Sequence, residues 1–475
     1  MTITRPRILV FPGPFTSHTI VTLNTIYQLL DTFTVHLLVH SQKLILHQIR
    51  SSGFDTAPID TGNLVIEPLL KDGELEDWTD DLLGFVDFYF KPSLIAHNEK
   101  ALLALEGKYG KGAFKALVID MFYGLVFDTY RQHGLKIFLI FTAAGTFLDT
   151  FTRVSKEDIE DRPDDLLTFP GLVGRDGQLV AFPYIDFIEV LAPVIQMSVP
   201  LWKSADGMIL GSTCIALEGH IRVAGPKSSI PSFMTGPVCP EWFLKAVEGN
   251  EDVRLRRIKG LTEEQKVAID FLDKHPSHSV LYIALGSERY FSETQAKLIF
   301  DITTRLGIPT LFVNRNPLDS VTLFPDADVS RFCVVKWAPQ LDVLAHPSVR
   351  CYLSHGGWGS VTEALVASVP MLTAPVFGDQ FFNGKWMTAL GTSFGEASVN
   401  PRVVADHSNP VPKFPDNGEE RLEELLRAVY DQELWEDKKR VSVDIGARMR
   451  ASALNEDGTK KQEVDGLKSL LLELY

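Results

Sequence analysis

The apolar positions in the first half of the chain alternate between short continuous runs and helical spacing. Helical spacing covers residues 19–30 and 44–51, each after a continuous run. The continuous runs, which predict strands, are 7–11, 34–39, 116–119, 137–141 and 208–211. Strands that alternate with helices form mostly parallel sheets, and such sheets bind ligands beyond the carboxyl ends of their strands. The first half is therefore predicted to be an α/β domain.

The second half repeats this alternation after a polar stretch. Residues 248–259 are charged and poorly periodic, which is typical of an exposed linker between domains. Capping boxes at Thr262–Gln265 and Ser292–Gln295 predict two helix starts. The predicted strands of this half are 280–285, 310–313, 332–336 and 349–353. From residue 418 to residue 475 the pattern is helical.

A chain of 475 residues exceeds what one hydrophobic core usually serves. The predicted fold class is α/β, with two Rossmann-like domains built on parallel sheets. The predicted boundaries are 1–238 for the first domain, 239–277 for a linker and helix, 278–450 for the second domain, and 451–475 for a C-terminal helix that packs back on the first domain.

Charge and cysteine use narrow the function classes. The net charge of −15 would repel nucleic acids and anionic membranes at long range, so neither is expected as a partner. No apolar run reaches the length of a transmembrane segment, and the N-terminal apolar run is too short for a signal peptide. The four cysteines show no CxxC spacing, which favours reduced thiols and no zinc site. A cytoplasmic protein is predicted.

Two residues of the first half suggest proton transfer. His18 follows the first predicted strand, and Asp120 ends the strand LVID. Both positions fall at the carboxyl edge of a parallel sheet, where a neutral histidine could take a proton from a hydroxyl while a carboxylate fixes its tautomer. A histidine at a strand end and an aspartate that caps a helix would give the same sequence, so these two residues leave both interpretations open.

The stretch from Trp337 to Trp386 carries a second candidate site. An apolar strand runs into HGGWGS and then into an amphipathic helix that is predicted to begin near Ser360. A glycine turn at a helix N-terminus presents backbone N–H groups and the positive end of the helix dipole, which together favour a phosphate group.

The motifs WAPQ, HPSV, HGGW, SVTEAL, VP and DQ lie in this order between Trp337 and Gln380. In this order and spacing the stretch resembles the donor-binding box of the UDP-dependent glycosyltransferases of small-molecule metabolism. Coarser likeness extends over LVIDMF, FTAA, TGPV, LGS and FVNRN. The resemblance implies the GT-B fold, in which the two domains face each other across a cleft. It also implies transfer of a sugar from UDP with inversion and without a metal or other cofactor, the UDP-sugar being a co-substrate.

The resemblance also implies roles for individual residues. It makes His18 and Asp120 the catalytic pair. Trp337 would stack on uracil, Ala338 and Gln340 would bind the uracil edge and ribose, and Glu363 would accept from the ribose hydroxyls. The implied diphosphate contacts are Thr142, Ser287, His355, Gly357, Trp358, Gly359 and Ser360. Asp379 and Gln380 would bind the sugar, and glutamine at the end of the box points to glucose.

The acceptor is predicted to be a lipophilic or phenolic alcohol, because aromatic residues are plentiful in the first half of the chain. The candidate pocket residues are Phe15, Phe88, Phe122, Phe147 and Phe187. The predicted product is a β-O-glycoside. An epimerase of the same architecture and a non-catalytic UDP-sugar-binding protein are the alternatives; the sequence predicts no oligomeric state.

Three features have competing interpretations. Ser360 and Glu363 form an SxxE pattern that could be a capping box instead of a ribose site. Trp337 could belong to the core. Residues 326–328 form a DxD, which binds divalent ions in other transferases but here lies in a polar loop and is interpreted as a solvated turn. Gly359 departs from the asparagine of the plant box, which leaves the diphosphate to the backbone.

Overall fold

The computed structural model describes residues 5–13, 15–69, 92–145, 147, 166–183, 204–219, 230–286, 290–314, 324, 327–376, 378–398 and 414–475. The chain divides into two compact units. The first unit comprises Met1–Arg153, Leu191–Pro240 and Asn455–Tyr475, and the second comprises Val154–Val190 and Glu241–Leu454.

The first unit contains a seven-stranded sheet of the order β3-β2-β1-β4-β5-β8-β9, in which all the strand pairs are parallel. Its strands are β1 (Arg7–Phe11), β2 (Thr34–Val39), β3 (Leu64–Pro68), β4 (Phe114–Asp120), β5 (Lys136–Phe141), β8 (Gly207–Leu210) and β9 (Ser232–Met234); β6 (Leu166–Val173) and β7 (Leu179–Pro183) pair with each other in the second unit.

Both faces of this sheet are covered. Along β1, Leu9 and Phe11 enter one hydrophobic cluster, whereas Ile8 and Val10 enter another. The alternation of side chains along a strand explains why the run is continuously apolar. The helices of this unit are Thr16–Tyr27, Gln42–Ser51, Ala57–Asp60, Pro92–Tyr109, Phe127–Gln132, Ile215–Glu218 and Thr459–Leu472, with a 3₁₀ helix at Met121–Val126.

The last helix of the chain, Thr459–Leu472, completes the core of the first unit. Val464, Leu467 and Leu471 join the same cluster as Ile8 and Val10. The buried Lys460 donates from Nζ to the Pro237 carbonyl at 2.7 Å, and Glu463 accepts from the Met234 amide. The C-terminal segment is therefore an integral part of this unit.

The second unit contains a six-stranded parallel sheet of the order β12-β11-β10-β13-β14-β15. Its strands are β10 (Val280–Ala284), β11 (Thr310–Val313), β12 (Phe332–Val335), β13 (Val349–Ser354), β14 (Met371–Thr373) and β15 (Ser393–Glu396). Its helices are Glu241–Val247, Glu251–Lys259, Glu263–Leu272, Glu293–Arg305, Gln340–Leu344, Trp358–Val366, Gln380–Leu390, Gly418–Tyr430 and Gln432–Leu454. Two parallel α/β units confirm the predicted fold class.

The hairpin β6–β7 comes from the first half of the sequence but packs within the second unit. Phe182 is fully buried and stacks on Phe382 with ring centroids 4.5 Å apart. The Arg175 amide donates to the Ala389 carbonyl at 2.9 Å. These contacts group the hairpin with helix Gln380–Leu390 of the second unit. The predicted first domain, a continuous segment of residues 1–238, therefore differs from the first unit of the structure.

Most of the charged stretch 248–259 forms helix Glu251–Lys259, which the pattern of apolar residues did not predict. Asn250 caps helix Glu251–Lys259 by accepting from the Val253 amide. Acidic residues lie in the first turn of this helix and basic residues in the last, which matches the helix dipole. Charge placement stabilises this helix although its apolar residues are few.

The two predicted capping boxes are confirmed. Thr262 with Gln265, and Ser292 with Gln295, each show both reciprocal bonds between side chain and backbone. No helix in the described part of the chain is long and apolar enough to cross a membrane.

Helix Trp358–Val366 is held at its C-terminus by helix Gln432–Leu454. Arg450 donates to the Val366 carbonyl at 2.6 Å, and Lys439 donates to the Ser368 carbonyl at 2.7 Å. The two helices approach so closely at Gly446 that a Cβ there would overlap the Leu365 carbonyl oxygen. Both cations satisfy carbonyl groups at the negative end of the helix dipole.

We predict opposite effects for two glycine-to-alanine changes in helices. Gly446→Ala should lower the free energy of unfolding by about 1–3 kcal/mol, because backbone must move to admit the methyl group. Gly107→Ala is the matched control, since a Cβ there meets nothing within 4 Å on the exposed face of helix Pro92–Tyr109. It should raise stability by up to about 1 kcal/mol. Differential scanning calorimetry measures both, and equal shifts would contradict the packing argument.

Candidate functional site

His18 and Asp120 meet in the first unit. His18 lies in the first turn of helix Thr16–Tyr27, after β1, and Asp120 ends β4, the neighbour of β1 in the sheet. His18 Nδ1 lies 2.9 Å from Asp120 Oδ2. Because a carboxylate only accepts hydrogen bonds, Nδ1 carries a proton. When the imidazole is neutral, this bond therefore selects the tautomer whose lone pair is on Nε2.

Asp120 makes the contacts that both of the interpretations left open by the sequence require. Its side chain is fully buried, and its other oxygen, Oδ1, accepts from the Phe122 amide at 3.0 Å. This bond caps the 3₁₀ helix Met121–Val126. One oxygen fixes the backbone and the other fixes His18, so the carboxylate has little freedom to turn.

The pair depends on a glycine that the sequence did not single out. A Cβ at Gly13 would lie 2.5 Å from Asp120 Oδ2 and 2.6 Å from His18 Cβ. The Gly13 carbonyl in turn accepts from the Thr19 hydroxyl at 3.1 Å. Only glycine fits beside this pair; its position two residues after the first strand was a signal available in the sequence.

Thr142 also belongs to this part of the site. Its hydroxyl oxygen lies 3.1 Å from both ring nitrogens of His18, and the residue is buried. The Thr142 carbonyl accepts from the Ser212 hydroxyl. Thr142 therefore contacts His18, a contact that the predicted role at the diphosphate did not anticipate.

Aromatic rings flank the histidine. Phe122 stacks on the His18 ring with centroids 5.0 Å apart, and Phe15 meets it edge-on at 5.5 Å. Phe147 is buried in the same unit. Of the predicted acceptor residues, Phe88 and Phe187 lie outside the described residues. The rings that are described make the surroundings of the imidazole apolar.

The glycine turn of the second unit surrounds His355. Cβ atoms at Gly286 and Gly357 would collide with the His355 ring, in the first case at 2.8 Å from Cε1. Gly286 and Gly356 also have φ angles of 74° and 82°, which side chains rarely adopt. His355 Nδ1 lies 3.4 Å from the Ser354 hydroxyl. Gly286 and Gly357 thus let the backbone pass close to one imidazole, and Gly356 supplies a left-handed residue beside it.

Helix Trp358–Val366 begins earlier than predicted, with Gly357 as its N-cap. Ser360 and Glu363 are therefore interior residues, and their interpretation as a capping box was wrong. The first N–H groups of a helix have no acceptor within it and favour an anion. Gly359 is exposed, and a Cβ there would meet nothing within 4 Å. The start of this helix is therefore sterically open at Gly359.

Glu363 and Gln340 lie on two different helices, and their side chains contact each other. Gln340 Nε2 donates to Glu363 Oε2 at 2.5 Å, and Gln340 Oε1 accepts from the Tyr352 hydroxyl at 3.0 Å. Withdrawal from water raises the pKa of Glu363 to about 7, against the opposing effect of the Gln340 amide. The carboxyl group is therefore poised between its two protonation states near neutral pH.

Trp337 and Ala338 precede this network on the chain. Trp337 is half-buried, so part of its ring stays exposed, whereas Ala338 is buried. A wholly buried core role does not describe Trp337.

Ser287 lies outside the described residues, as does Asp326. Asp328 accepts from the Ser330 amide and hydroxyl, as expected for a polar turn.

Asp379 and Gln380 lie at the start of helix Gln380–Leu390. The buried Gln380 accepts at Oε1 from the Val376 amide at 2.8 Å, which leaves its amide hydrogens as the donor end. Asn383 donates to both Asp379 Oδ2 and the Gly356 carbonyl, each at 2.9 Å. Asn383 ties the predicted sugar residues to the glycine turn. Its spacing of four from Asp379 was the signal that sequence reasoning missed.

A comparison with protein families bears on this geometry. Residues 240–409 match the family described as UDP-glucoronosyl and UDP-glucosyl transferase. Residues 240–409 therefore belong to the UDP-glycosyltransferase family. The match contains the glycine turn, Gln340, Glu363 and Asp379, and it confirms the family that the motifs between Trp337 and Gln380 suggest.

Relatives extend the likeness beyond this UDP-glycosyltransferase segment. UDP-glycosyltransferase 74D1 of Arabidopsis thaliana is 26% identical over 366 residues, 74% of each chain. Anthocyanidin 3-O-glucosyltransferase 1 of Manihot esculenta is 25% identical over 378 residues, 74% of this chain and 76% of that one. The structure of Medicago truncatula UGT71G1 complexed with UDP-glucose is 18% identical, covers 98% of each chain and superposes with a TM-score of 0.72, which shows a shared fold.

We predict that Glu363→Gln stabilises the protein above neutral pH. A carboxyl whose pKa is raised on folding binds its proton more tightly in the folded state, so the folded state loses stability as pH rises from about 4.5 to about 7. Glutamine resembles the neutral acid and carries no such penalty. The variant should gain at most about 3 kcal/mol at pH 8 and almost nothing at pH 4. Melting temperatures of both proteins across this range measure the difference; a gain independent of pH would contradict it.

Proposed function

We propose that the protein transfers glucose from UDP-glucose to a hydroxyl group of a lipophilic or phenolic small molecule, with inversion, giving a β-O-glycoside. Glycosyl transfer to small molecules is the activity that the family match and the relatives support. The observation that carries the proposal is the bond of 2.9 Å between His18 and the fully buried Asp120. An imidazole held in one tautomer by a carboxylate is what an enzyme needs to activate a hydroxyl, and a protein that only binds the nucleotide sugar has no use for it.

His18 is the general base of the proposed reaction. Nε2 takes the proton of the acceptor hydroxyl as its oxygen attacks the anomeric carbon of the sugar. The bond from that carbon to the UDP oxygen breaks on the opposite face, so the configuration inverts. Asp120 stabilises the imidazolium that forms. General-base help of this kind is worth about 10² to 10⁴ in rate.

The glycine turn supports the departure of UDP. Negative charge grows on the diphosphate as the sugar leaves, and N–H groups at the start of helix Trp358–Val366 are donors already oriented for it. His355 and the backbone at Gly359 would assist, as would Ser287. In this proposal backbone dipoles carry out the charge stabilisation that a metal ion provides elsewhere, so no metal takes part.

The nucleoside and sugar have separate binding groups in the proposal. Trp337 stacks on uracil, the backbone at Ala338 binds its edge, and Gln340 and Glu363 bind the ribose, with Glu363 accepting from its hydroxyls. Asp379 accepts from sugar hydroxyls while the Gln380 amide donates to them, a role compatible with Oε1 being held by the Val376 amide.

Glucose and the acceptor class rest on different observations. Glucose is favoured by Gln380 and by relatives named as glucosyltransferases. Phe15 and Phe122 around His18 favour an apolar or aromatic acceptor. Cys333 and Cys351 have free thiols, which is compatible with the proposed cytoplasmic location.

A donor and acceptor screen tests the proposed function. We expect UDP-glucose, incubated with a library of hydroxylated small molecules and EDTA, to give products heavier by one hexose unit, detected by mass spectrometry. Free UDP should appear only when an alcohol or phenol is present, because the hydroxyl is the nucleophile. Conversion of UDP-glucose to another UDP-hexose without an acceptor would identify an epimerase, and a clear preference for another donor would overturn the choice of glucose.

We predict that His18→Ala abolishes most transfer but preserves donor binding. The turnover number should fall about 10² to 10⁴-fold because the base is lost, whereas the dissociation constant for UDP, measured by calorimetry, should stay within a few-fold. His133→Ala is the matched control: His133 also pairs with a carboxylate, Glu106, at 3.1 Å in the same unit. Unchanged turnover in His18→Ala would remove His18 from the mechanism.

A further inference from the structure

Tyr352 connects the core of the second unit to the proposed ribose-binding carboxylate. It lies on β13 and is fully buried, yet its hydroxyl lies 3.0 Å from Gln340 Oε1. The other end of the same amide donates to Glu363 Oε2 at 2.5 Å. A phenol, an amide and a carboxylate thus form a continuous chain of hydrogen bonds that starts inside the sheet and ends at Glu363.

The chemistry of the three groups fixes the direction of this chain. An ionised carboxylate can only accept, so the donor end of the Gln340 amide must face Glu363. The oxygen end then needs a donor, and the Tyr352 hydroxyl supplies it. Turning the amide around would set its oxygen against the carboxylate and its NH₂ group against the phenol. Tyr352 therefore favours the amide orientation that holds an ionised Glu363.

A neighbouring tyrosine supports the phenol. The rings of Tyr282 and Tyr352 stack with centroids 4.8 Å apart, and the Tyr282 hydroxyl lies 3.5 Å from the same Gln340 oxygen, at the limit of a hydrogen bond. Tyr282 is as deeply buried as Tyr352. The stack fixes the Tyr352 ring, so its hydroxyl cannot follow Gln340 if the amide moves.

We propose that Tyr352 is a positioning residue for ribose recognition: its hydroxyl orients the Gln340 amide, which in turn holds the Glu363 carboxylate ready to accept from the ribose hydroxyls. This inference rests on the proposed function, since it takes Glu363 as the ribose acceptor. Tyr352 does not contact the nucleotide; it raises affinity by reducing the freedom of the group that does.

A purely structural role for the same hydroxyl must be separated from this one. The Tyr352 hydroxyl also lies 3.5 Å from the Ala284 carbonyl and from the Ser360 hydroxyl. Those contacts tie β13 to β10 and to the glycine-turn helix, and their loss would weaken binding of any nucleotide. A positioning role predicts that only ligands with ribose hydroxyls are affected.

The test compares UDP with 2′,3′-dideoxy-UDP by calorimetry on the full-length protein. Tyr352→Phe removes one oxygen and keeps the packed ring. We expect it to weaken UDP binding about three- to ten-fold while dideoxy-UDP changes less than about two-fold. The KM for UDP-glucose should rise with an unchanged kcat. Tyr430→Phe is the matched control, because it removes a hydroxyl that donates to the Ser279 carbonyl in the same unit; both affinities should stay as in the wild type.

A double-mutant cycle separates this inference from the proposed function. Glu363→Gln alone should abolish the discrimination between UDP and dideoxy-UDP, and adding Tyr352→Phe should then cost nothing more. If Glu363→Gln leaves discrimination intact, the ribose role of Glu363 fails and the proposed site with it. If that variant loses discrimination but Tyr352→Phe keeps it, or weakens both ligands equally, only the role of Tyr352 is overturned.

Gln340→Leu keeps the inference testable should Tyr352→Phe fail to fold. It removes the amide through which Tyr352 acts. The ratio of the affinities for UDP and dideoxy-UDP should therefore also decrease, whatever the change does to uracil binding. A ratio equal to that of the wild type would overturn the inference.

Discussion

Close backbone approach beside an imidazole is the constraint on which the candidate residues of each unit depend. In the first unit Gly13 lets the chain pass against His18 and Asp120. In the second unit Gly286 and Gly357 do the same around His355. Each of these glycines lies within a few residues of the end of a parallel strand. There the sheet fixes the backbone, so the chain cannot move aside for a side chain. The rigid strands, together with glycines that have no side chain, thus position the two imidazoles. The cost is the larger conformational entropy that glycine loses on folding.

Stability and the proposed chemistry oppose each other at Glu363. Withdrawal from water raises the pKa of Glu363 to about 7 and so penalises its ionised form, whereas ribose hydroxyls need an acceptor. The Gln340 amide partly resolves this conflict because it stabilises the ionised form. A network anchored in the sheet by a buried tyrosine can hold that amide where a surface residue could not. Helix Trp358–Val366, which carries Glu363, is also held by helix Gln432–Leu454, through close packing at Gly446 and a hydrogen bond from Arg450.

Most strands of both sheets could be predicted because their two buried faces leave continuous apolar runs such as 7–11 and 310–313, whereas β3, β9, β14 and β15 were not predicted. The donor motifs were equally visible, since their chemistry is local in sequence. Helix Glu251–Lys259 was missed because caps and charge placement stabilise it while its apolar residues are too few to show a period. The hairpin β6–β7 was missed because Phe182 is buried against Phe382, two hundred residues further along. The bond between Tyr352 and Gln340 joins a strand to a separate helix, and spacing along the chain contains no trace of it.

Gly359 has no side chain, so at this position only the backbone can contact the diphosphate in the proposed site. Glycine inside a helix costs stability relative to other residues, by about 1 kcal/mol against alanine. At Gly359 no neighbouring atom explains that cost, because a side chain there would meet nothing within 4 Å. Glycine adds no side chain beside the first N–H groups of this helix, which have no acceptor within it and favour an anion. In the proposed site, recognition of the diphosphate at this position therefore depends on backbone dipoles, next to the turn that Gly286 and Gly357 allow to pack against His355.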